Sequence, residues 1–174
     1  MSTVRDLRSR LDGPTGRDVA LLVARAVLAW DFIYHGAGTL FGAFGGAGLH
    51  RATPFFADVA HLHPGGFWAF MTGAIELLGG IGVALGVLGR LSAAGLVGVM
   101  VGAMVTVTGA NGIVSTKTGG GYEINLILVG LAFVVAVLGT GRWSLDTLLA
   151  DRFGRRDPAA PSDARPRTPD PSRG

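Results

Sequence analysis

Residues 67–110 read FWAFMTGAIELLGGIGVALGVLGRLSAAGLVGVMVGAMVTVTGA and contain only two ionisable side chains, Glu76 and Arg90. As one helix these 44 residues would be about 66 Å long, roughly twice the hydrocarbon thickness of a bilayer. The segment must therefore fold back on itself. Gly86, Gly89 and Arg90 supply the flexibility and the charge for a turn at the membrane surface. The sequence thus predicts two spans, about 67–88 and 91–110.

Apolar segments on both sides of this hairpin predict two more spans. Residues 19–41 are apolar except at Arg25, Asp31 and His35, and they would form a helix of about 35 Å. Residues 123–140 follow a polar loop and begin beside Tyr122, an aromatic residue of the kind enriched at membrane interfaces. The expected fold is an all-α membrane protein, a bundle of four transmembrane helices with the lipid bilayer as its main partner.

Lys and Arg outside these spans are distributed unevenly between the two faces. Four lie in residues 1–18, one lies in the turn at 90 and seven follow residue 141, whereas Arg51 and Lys117 alone lie on the other face. The positive-inside rule then places both termini in the cytoplasm. We expect a solvated cytoplasmic arm at 1–18, a membrane domain at 19–146 and, because five of the eight prolines follow residue 157, a disordered cytoplasmic tail at 147–174.

Composition excludes several classes of function. The chain has no Cys, which excludes disulfides, thiolate metal sites and Cys-ligated iron–sulfur clusters. The net charge of +3 is explained by the topology and no aromatic–basic stripe accompanies it, so we expect no nucleic-acid binding. His50, His61 and His63 lie in the outer connector, but no acid or Cys completes a recognisable ligand spacing, and we predict no metal site.

Two smaller patterns concern the connector and the hairpin. Thr53 followed by Pro54 has the chemistry of a helix start, which predicts a short helix through about Ala60 with Phe55 and Phe56 on the membrane surface. Small residues four apart, Gly82 with Gly86 and Gly98 with Gly102, predict either a closely packed helical hairpin or a face for a homo-oligomer.

Three ionisable residues lie at matching depths below the outer surface. Counted along ideal helices, Asp31 lies about 15 Å, His35 about 9 Å and Glu76 about 14 Å from the outer ends of their spans. Asp31 and His35 are four residues apart and share a helix face. Each charge costs roughly 2.5–3.5 kcal/mol at a helix centre, so a function is the default interpretation. We predict a buried, proton-exchanging cluster near the outer face.

Other polar residues are candidates for ligand binding. Arg25 is about 9 Å from its cytoplasmic helix end, where it can snorkel to lipid phosphate or stabilise acidic charge. Tyr122, Glu123 and Asn125 open the fourth span and are placed to cap the mouth of a cavity. The structural alternative is that the ionisable residues only hold the helices in register, and that 122–125 is simply a helix start beside water.

The order of these motifs resembles the DoxX family of small bacterial membrane proteins over about residues 19–146. Each motif is weak alone, and the specificity lies in finding them on four spans in this order. The matching residues are Arg25, HG at 35–36, LFG at 40–42, ELLGG at 76–80, Gly86, GR at 89–90, GYE at 121–123 and GTGRWSLD at 139–146.

The resemblance implies a four-helix protein of the bacterial inner membrane. The family takes its name from a subunit associated with quinone-linked thiosulfate oxidation. It therefore implies a membrane subunit of quinone-linked redox metabolism, in which His35 and Glu76 exchange protons with a bound quinone and Asp31 orients His35. Electrons would come from a soluble or membrane redox partner, because the sequence encodes no visible electron carrier. One departure is Thr39, where many relatives carry Lys before Leu-Phe.

Two alternatives of other classes stay open at this point. Polar groups within the bundle and a glycine-rich outer mouth are also typical of a small transporter or export component, although four spans without repeats are few for that task. The third hypothesis is a structural anchor for a soluble enzyme. Whether the chain itself catalyses a reaction is left open by the sequence.

Overall fold

The computed structural model describes residues 14–114 and 120–154. Every regular element within these ranges is helical. The helices are α1 Pro14–Phe41, α2 Gly48–Pro54, α3 Gly65–Leu85, α4 Gly89–Ala103, α5 Glu123–Leu138 and α6 Leu145–Gly154. A π-helical turn, Met104–Thr108, and a 3-10 turn, Gly109–Asn111, continue α4. Most of the predicted arm and tail, 1–13 and 155–174, and the loop 115–119 with Lys117 lie outside the described residues.

Three helical segments are long and apolar enough to cross a membrane. They are Thr15–Phe41, Gly65–Leu85 and Gly89–Asn111, and the apolar α5 has 16 residues. At about 24 Å, α5 is shorter than a bilayer's hydrocarbon core. Many large apolar side chains face outward, and Trp30 and Val105 are each 79% exposed. Such a surface suits lipid rather than water, and it identifies a multi-pass membrane protein.

Glycines set how closely the helices approach. α3 packs against both α1 and α4, and α5 packs mainly against α4. A Cβ on Gly36 of α1 would meet the backbone of Gly73 and Leu77 on α3, so the two backbones are in direct contact. On the other side of α3, a Cβ on Gly82 would overlap Ser92 of α4. The buried apolar core between these helices includes Leu21, Leu28, Phe32, Val83, Leu96 and Val135.

The two glycine pairs have different surroundings. Gly82 lies in the close contact between α3 and α4, as the hairpin interpretation predicts, and Gly86 lies against Ser144 in the loop after α5. Gly98 and Gly102 on α4 have no atom of another residue near the position of a Cβ within the described chain. The second pair therefore leaves an open face rather than a helix contact.

Several predicted boundaries need correction. α1 begins at Pro14, whose fixed φ suits the first turn of a helix, so 14–18 are helical rather than part of a solvated arm. Residues 147–154 of the predicted tail lie in α6. The connector helix ends at Pro54 instead of starting there, and a π-helical turn, Phe55–Val59, follows it. Thr53 caps no helix, because its hydroxyl donates to the carbonyl of Leu49.

Candidate functional site

Arg25 lies at the end of the bundle that contains the α3–α4 turn, and it is 2% exposed. Its guanidinium donates four hydrogen bonds to backbone carbonyls at distances of 2.7–2.8 Å. Two acceptors, Val83 and Ala84, are in the last turn of α3, where carbonyls lack helical partners. The others, Thr140 and Trp143, belong to the loop after α5. The arginine thus joins three parts of the chain instead of snorkelling to lipid.

The residues around Arg25 form a second set of contacts between the same elements. The carboxylate of Asp146 accepts hydrogen bonds from the backbone N–H groups of Leu88 and Gly89, at 3.0 and 3.1 Å, where α4 begins. The N–H of Asp146 in turn donates to the carbonyl of Gly86 at 3.0 Å. A carboxylate at a helix N-terminus satisfies orphan donors and complements the helix dipole. These hydrogen bonds therefore hold segment 139–146, and with it the end of α5, against the α3–α4 turn.

Sequence reasoning missed this role for segment 139–146. The signal was present as GTGRWSLD, a run of glycines and polar residues after an apolar helix. The groups that bond to the carbonyls and the carboxylate of this segment are more than 50 residues away along the chain. No local sequence pattern could therefore identify them. Asp18 adds another such contact, because its carboxylate accepts a hydrogen bond from the N–H of Arg142 at 3.1 Å.

Asp31, His35 and Glu76 lie toward the opposite end of the bundle. His35 Nε2 is 3.8 Å from Asp31 Oδ1, one turn away on α1, and their side chains are 61% and 30% exposed. The cluster is therefore only partly buried, in contrast to the prediction, because its imidazole lies largely at the surface. Glu76 on α3 is 7% exposed, and no donor among the described residues hydrogen-bonds its carboxylate. The contact of α1 with α3 at Gly36, adjacent to His35, brings these side chains toward one site.

A small cavity of about 260 Å³ lies between α1, α3, α4 and α5. Asp31, His35, Glu76 and Asn125 all line it, and Gly121 lies where the loop before α5 meets it. The amide of Asn125 is held in place, since its oxygen accepts from the hydroxyl of Thr108 at 3.3 Å and its nitrogen lies 3.4 Å from Met100 Sδ. This cavity thus contains three ionisable groups and a fixed amide.

A larger cleft of about 860 Å³ lies on the other side of Glu76, between α2, α3 and α4. Its walls are mostly apolar and include Phe55, Phe56 and Trp68, and the open face at Gly98 and Gly102 forms part of α4's wall. The polar side chains that line it are His35, Thr39, Arg51, Thr72, Glu76, Thr106 and Thr108. Glu76, His35 and Thr108 line both spaces and therefore lie where the cleft and the small cavity adjoin.

The structure separates the predicted ligand residues into two groups. Asn125 lines the small cavity, whereas Tyr122 and Glu123 line neither this cavity nor the large cleft. Arg25 is absent from these walls as well, and its donors are occupied by carbonyls. We therefore place Arg25 in helix anchoring. Arg51 and Thr108, which the sequence reasoning did not include, lie in the cleft wall.

No group of three His, Asp or Glu side chains in 14–114 and 120–154 could hold a metal ion. His50, His61 and His63 are exposed, and none of them lines the cleft or the small cavity. A carboxyl, Glu76, and an imidazole, His35, lie at the boundary of the apolar cleft. Such groups can hydrogen-bond a ligand's polar atoms and exchange protons with them.

Comparison with known proteins identifies the family. A family model described as DoxX matches residues 20–109, which are 90 of the 174 residues. The match includes most of α1, all of α2 and α3 and most of the α4 span, and with them His35, Glu76 and the cleft between these helices. No curated protein and no solved structure matches the chain. The sequence resemblance is confirmed, and the chain belongs to the DoxX family.

Proposed function

We propose that this protein is a membrane subunit of quinone-linked redox metabolism that binds quinone in the large cleft and exchanges protons with it through Glu76 and His35. The observation that carries the proposal is the position of Glu76. It is a nearly buried carboxyl that lines both a large apolar cleft and a small cavity with three ionisable side chains in its wall. Ionisable groups within a membrane bundle typically mark ligand or proton pathways.

The cleft fits a quinone in size and chemistry. Its volume of about 860 Å³ lies in the range of small-molecule sites, and such sites combine apolar walls with few polar groups. Phe55, Phe56 and Trp68 supply aromatic surface for a flat ring. His35 and Glu76 can donate hydrogen bonds to carbonyl oxygens, and each can accept them from hydroxyl groups. Position 39 carries Thr instead of the Lys of many relatives. Arg51 is therefore the one Arg or Lys among the residues that line the cleft.

The protein residues would manage protons rather than electrons. A bound quinone takes up two electrons and two protons on reduction, and the electrons would come from a redox partner. Glu76 and His35 hold protons at the cleft wall, and Asp31, 3.8 Å from His35 Nε2, orients the imidazole. The small cavity, with the amide of Asn125, provides a polar connection from Glu76 toward the loop before α5.

The same proposal includes a topology of four spans with both termini in the cytoplasm of a bacterial cell and the site near the outer face. Because the chain has no Cys, single introduced cysteines report sidedness cleanly. In intact cells with a permeabilised outer membrane, Asp58→Cys is expected to react with a membrane-impermeant maleimide. Asp151→Cys, on exposed α6, should react only after the inner membrane is opened. The opposite labelling pattern would contradict this topology.

The quinone proposal can be tested with a native probe, since Trp68 lines the cleft. In a Trp30→Phe, Trp143→Phe background, Trp68 is the one remaining tryptophan, and its fluorescence is titrated with decylubiquinone in detergent. Glu76→Gln is expected to weaken binding by about tenfold, roughly the value of one hydrogen bond between uncharged groups, because the protonated carboxyl is replaced by an amide. His35→Ala should weaken it similarly. Glu123→Gln, a carboxyl variant outside the cavities, serves as the matched control and should bind as the parent does.

If the Glu76→Gln and Glu123→Gln variants bound decylubiquinone with equal affinity, the proposed site would be wrong. The alternatives predict distinguishable results. A structural anchor predicts that Glu76→Gln changes thermal stability and leaves quenching absent in every variant. A transporter predicts Glu76-dependent substrate uptake by reconstituted vesicles, without saturable quenching of Trp68 by quinone.

A further inference from the structure

A second space, of about 660 Å³, lies along the seam between α3 and α4 below the large cleft. Met71, Ile75 and Gly95 line both spaces, so the groove adjoins the cleft along these residues. The groove runs along α3 to Leu85, and from Ile75 to Leu85 the helix rises about 15 Å. It reaches the α3–α4 turn at Leu88 and therefore extends from Glu76 toward the Arg25 end of the bundle.

The walls of the groove present hydrocarbon. Ser92 is the one polar side chain among its lining residues, and its hydroxyl donates to the carbonyl of Val87 at 3.4 Å. Leu78, Leu88 and Leu91 are among its most exposed side chains, at 65–70%. A polar head group would lose its hydrogen bonds in such a space, whereas a flexible apolar chain would lose none.

We infer that this groove holds the hydrocarbon tail of the same molecule whose polar head lies at Glu76. The inference rests on the proposed function and deepens it, because it specifies a ligand with a long apolar chain. Two observations are combined. The groove adjoins the cleft at three shared residues, and the cleft's wall carries Glu76, a carboxyl that is 7% exposed and has no partner among the described residues.

A tail in the groove explains why α4 has small residues there. Gly95 lies where groove and cleft meet, and a Cβ at this position would come within 3.3 Å of Ile75 Cγ2. A larger side chain would therefore close the connection between the two spaces. Because a tail is already surrounded by hydrocarbon in the bilayer, its gain on entering the groove comes from van der Waals packing rather than from the hydrophobic effect. The groove consequently selects tails by shape and length.

The test uses the full chain in vesicles of phosphatidylethanolamine and phosphatidylglycerol. The probe is a benzoquinone with a decyl tail that ends in a photoreactive diazirine, and cross-linked peptides are identified by mass spectrometry. Cross-links are expected within 78–91, and excess unlabelled decylubiquinone should remove them. Leu78→Trp, which fills the groove, should lower this saturable labelling by about tenfold through overpacking. Ile127→Trp, an equally lipid-exposed position on α5, is the control and should label normally.

Three results would overturn the inference. The first is labelling of 78–91 that excess quinone does not reduce. Equal labelling by a phospholipid with a diazirine in its acyl chain, measured in the presence of quinone, would count in the same way. Either outcome would show that ordinary bilayer lipid occupies the groove. Saturable, Glu76-dependent labelling located elsewhere would refute the tail position and leave the head site intact. The absence of any saturable labelling would refute the proposed function as well.

Discussion

Replacing Arg25 with Ala is expected to lower the free energy of unfolding by about 3–5 kcal/mol. The substitution leaves four carbonyls without their donors, at Val83, Ala84, Thr140 and Trp143. Buried acceptors that cannot reach water retain the full cost of desolvation. Segment 139–146 would then lose its main attachment to α3. Equilibrium unfolding with SDS in mixed micelles measures the change.

Two further variants make this prediction specific. Arg90→Ala removes an exposed arginine from the first turn of α4 and should change the unfolding free energy by less than about 0.5 kcal/mol, as surface substitutions usually do. Arg25→Lys keeps the charge but has fewer donors in a less extended geometry, so it should fall between the parent and Arg25→Ala. If Arg25→Ala were as stable as Arg90→Ala, the hydrogen-bonded role of Arg25 would be wrong.

Gly36→Ala is expected to destabilise the contact between α1 and α3 by about 1–3 kcal/mol or more. The atoms nearest to the added Cβ would be backbone atoms of Leu77 and Gly73, which no rotamer change can move. This steric overlap can be relieved only if α1 moves away from α3. Because His35 is adjacent on α1 and Glu76 lies on α3, the same substitution should also weaken quinone quenching of Trp68.

Gly130→Ala is the matched control for this substitution. Gly130 lies in α5, and nothing in the described chain approaches the position of its Cβ within 4 Å. Alanine there should be neutral or stabilise the helix by up to about 1 kcal/mol, because glycine is a poor helix former. Equal stability of the Gly36→Ala and Gly130→Ala variants would contradict the close contact of α1 with α3.

Much of the bundle could be predicted because a membrane imposes a length on each span. The 67–110 segment had to fold back, and the structure places the turn at Gly86–Leu88, between α3 and α4. Depth could also be counted from the helix ends, and Asp31, His35 and Glu76, predicted at matching depths, line one cavity. The end of α5 at Leu138 was less predictable, because it depends on Gly139 leaving helical geometry at φ +80°.

Other features depend on contacts between distant parts of the chain. Depth counting correctly separated Arg25 from Glu76, but it could not show that carbonyls of the α3 end and of segment 139–146 surround the guanidinium. Thr53 and Pro54 carry the local signature of a helix start, yet tertiary packing places them at the end of α2. The large cleft was also not predicted, because it depends on how far apart α2, α3 and α4 pack, and no local sequence pattern encodes that distance.

The central claim is that Glu76 holds a lipid-soluble carrier inside the bundle, and lipids carried through purification test it most directly. Parent, Glu76→Gln and Glu123→Gln proteins are purified in a mild detergent from the same membranes, and their organic extracts are quantified by mass spectrometry against protein. We expect quinone near one molecule per chain in the parent and in Glu123→Gln, and a several-fold loss in Glu76→Gln. Quinone at equal levels in all three proteins, or only at the level found with an unrelated membrane protein, would contradict the account.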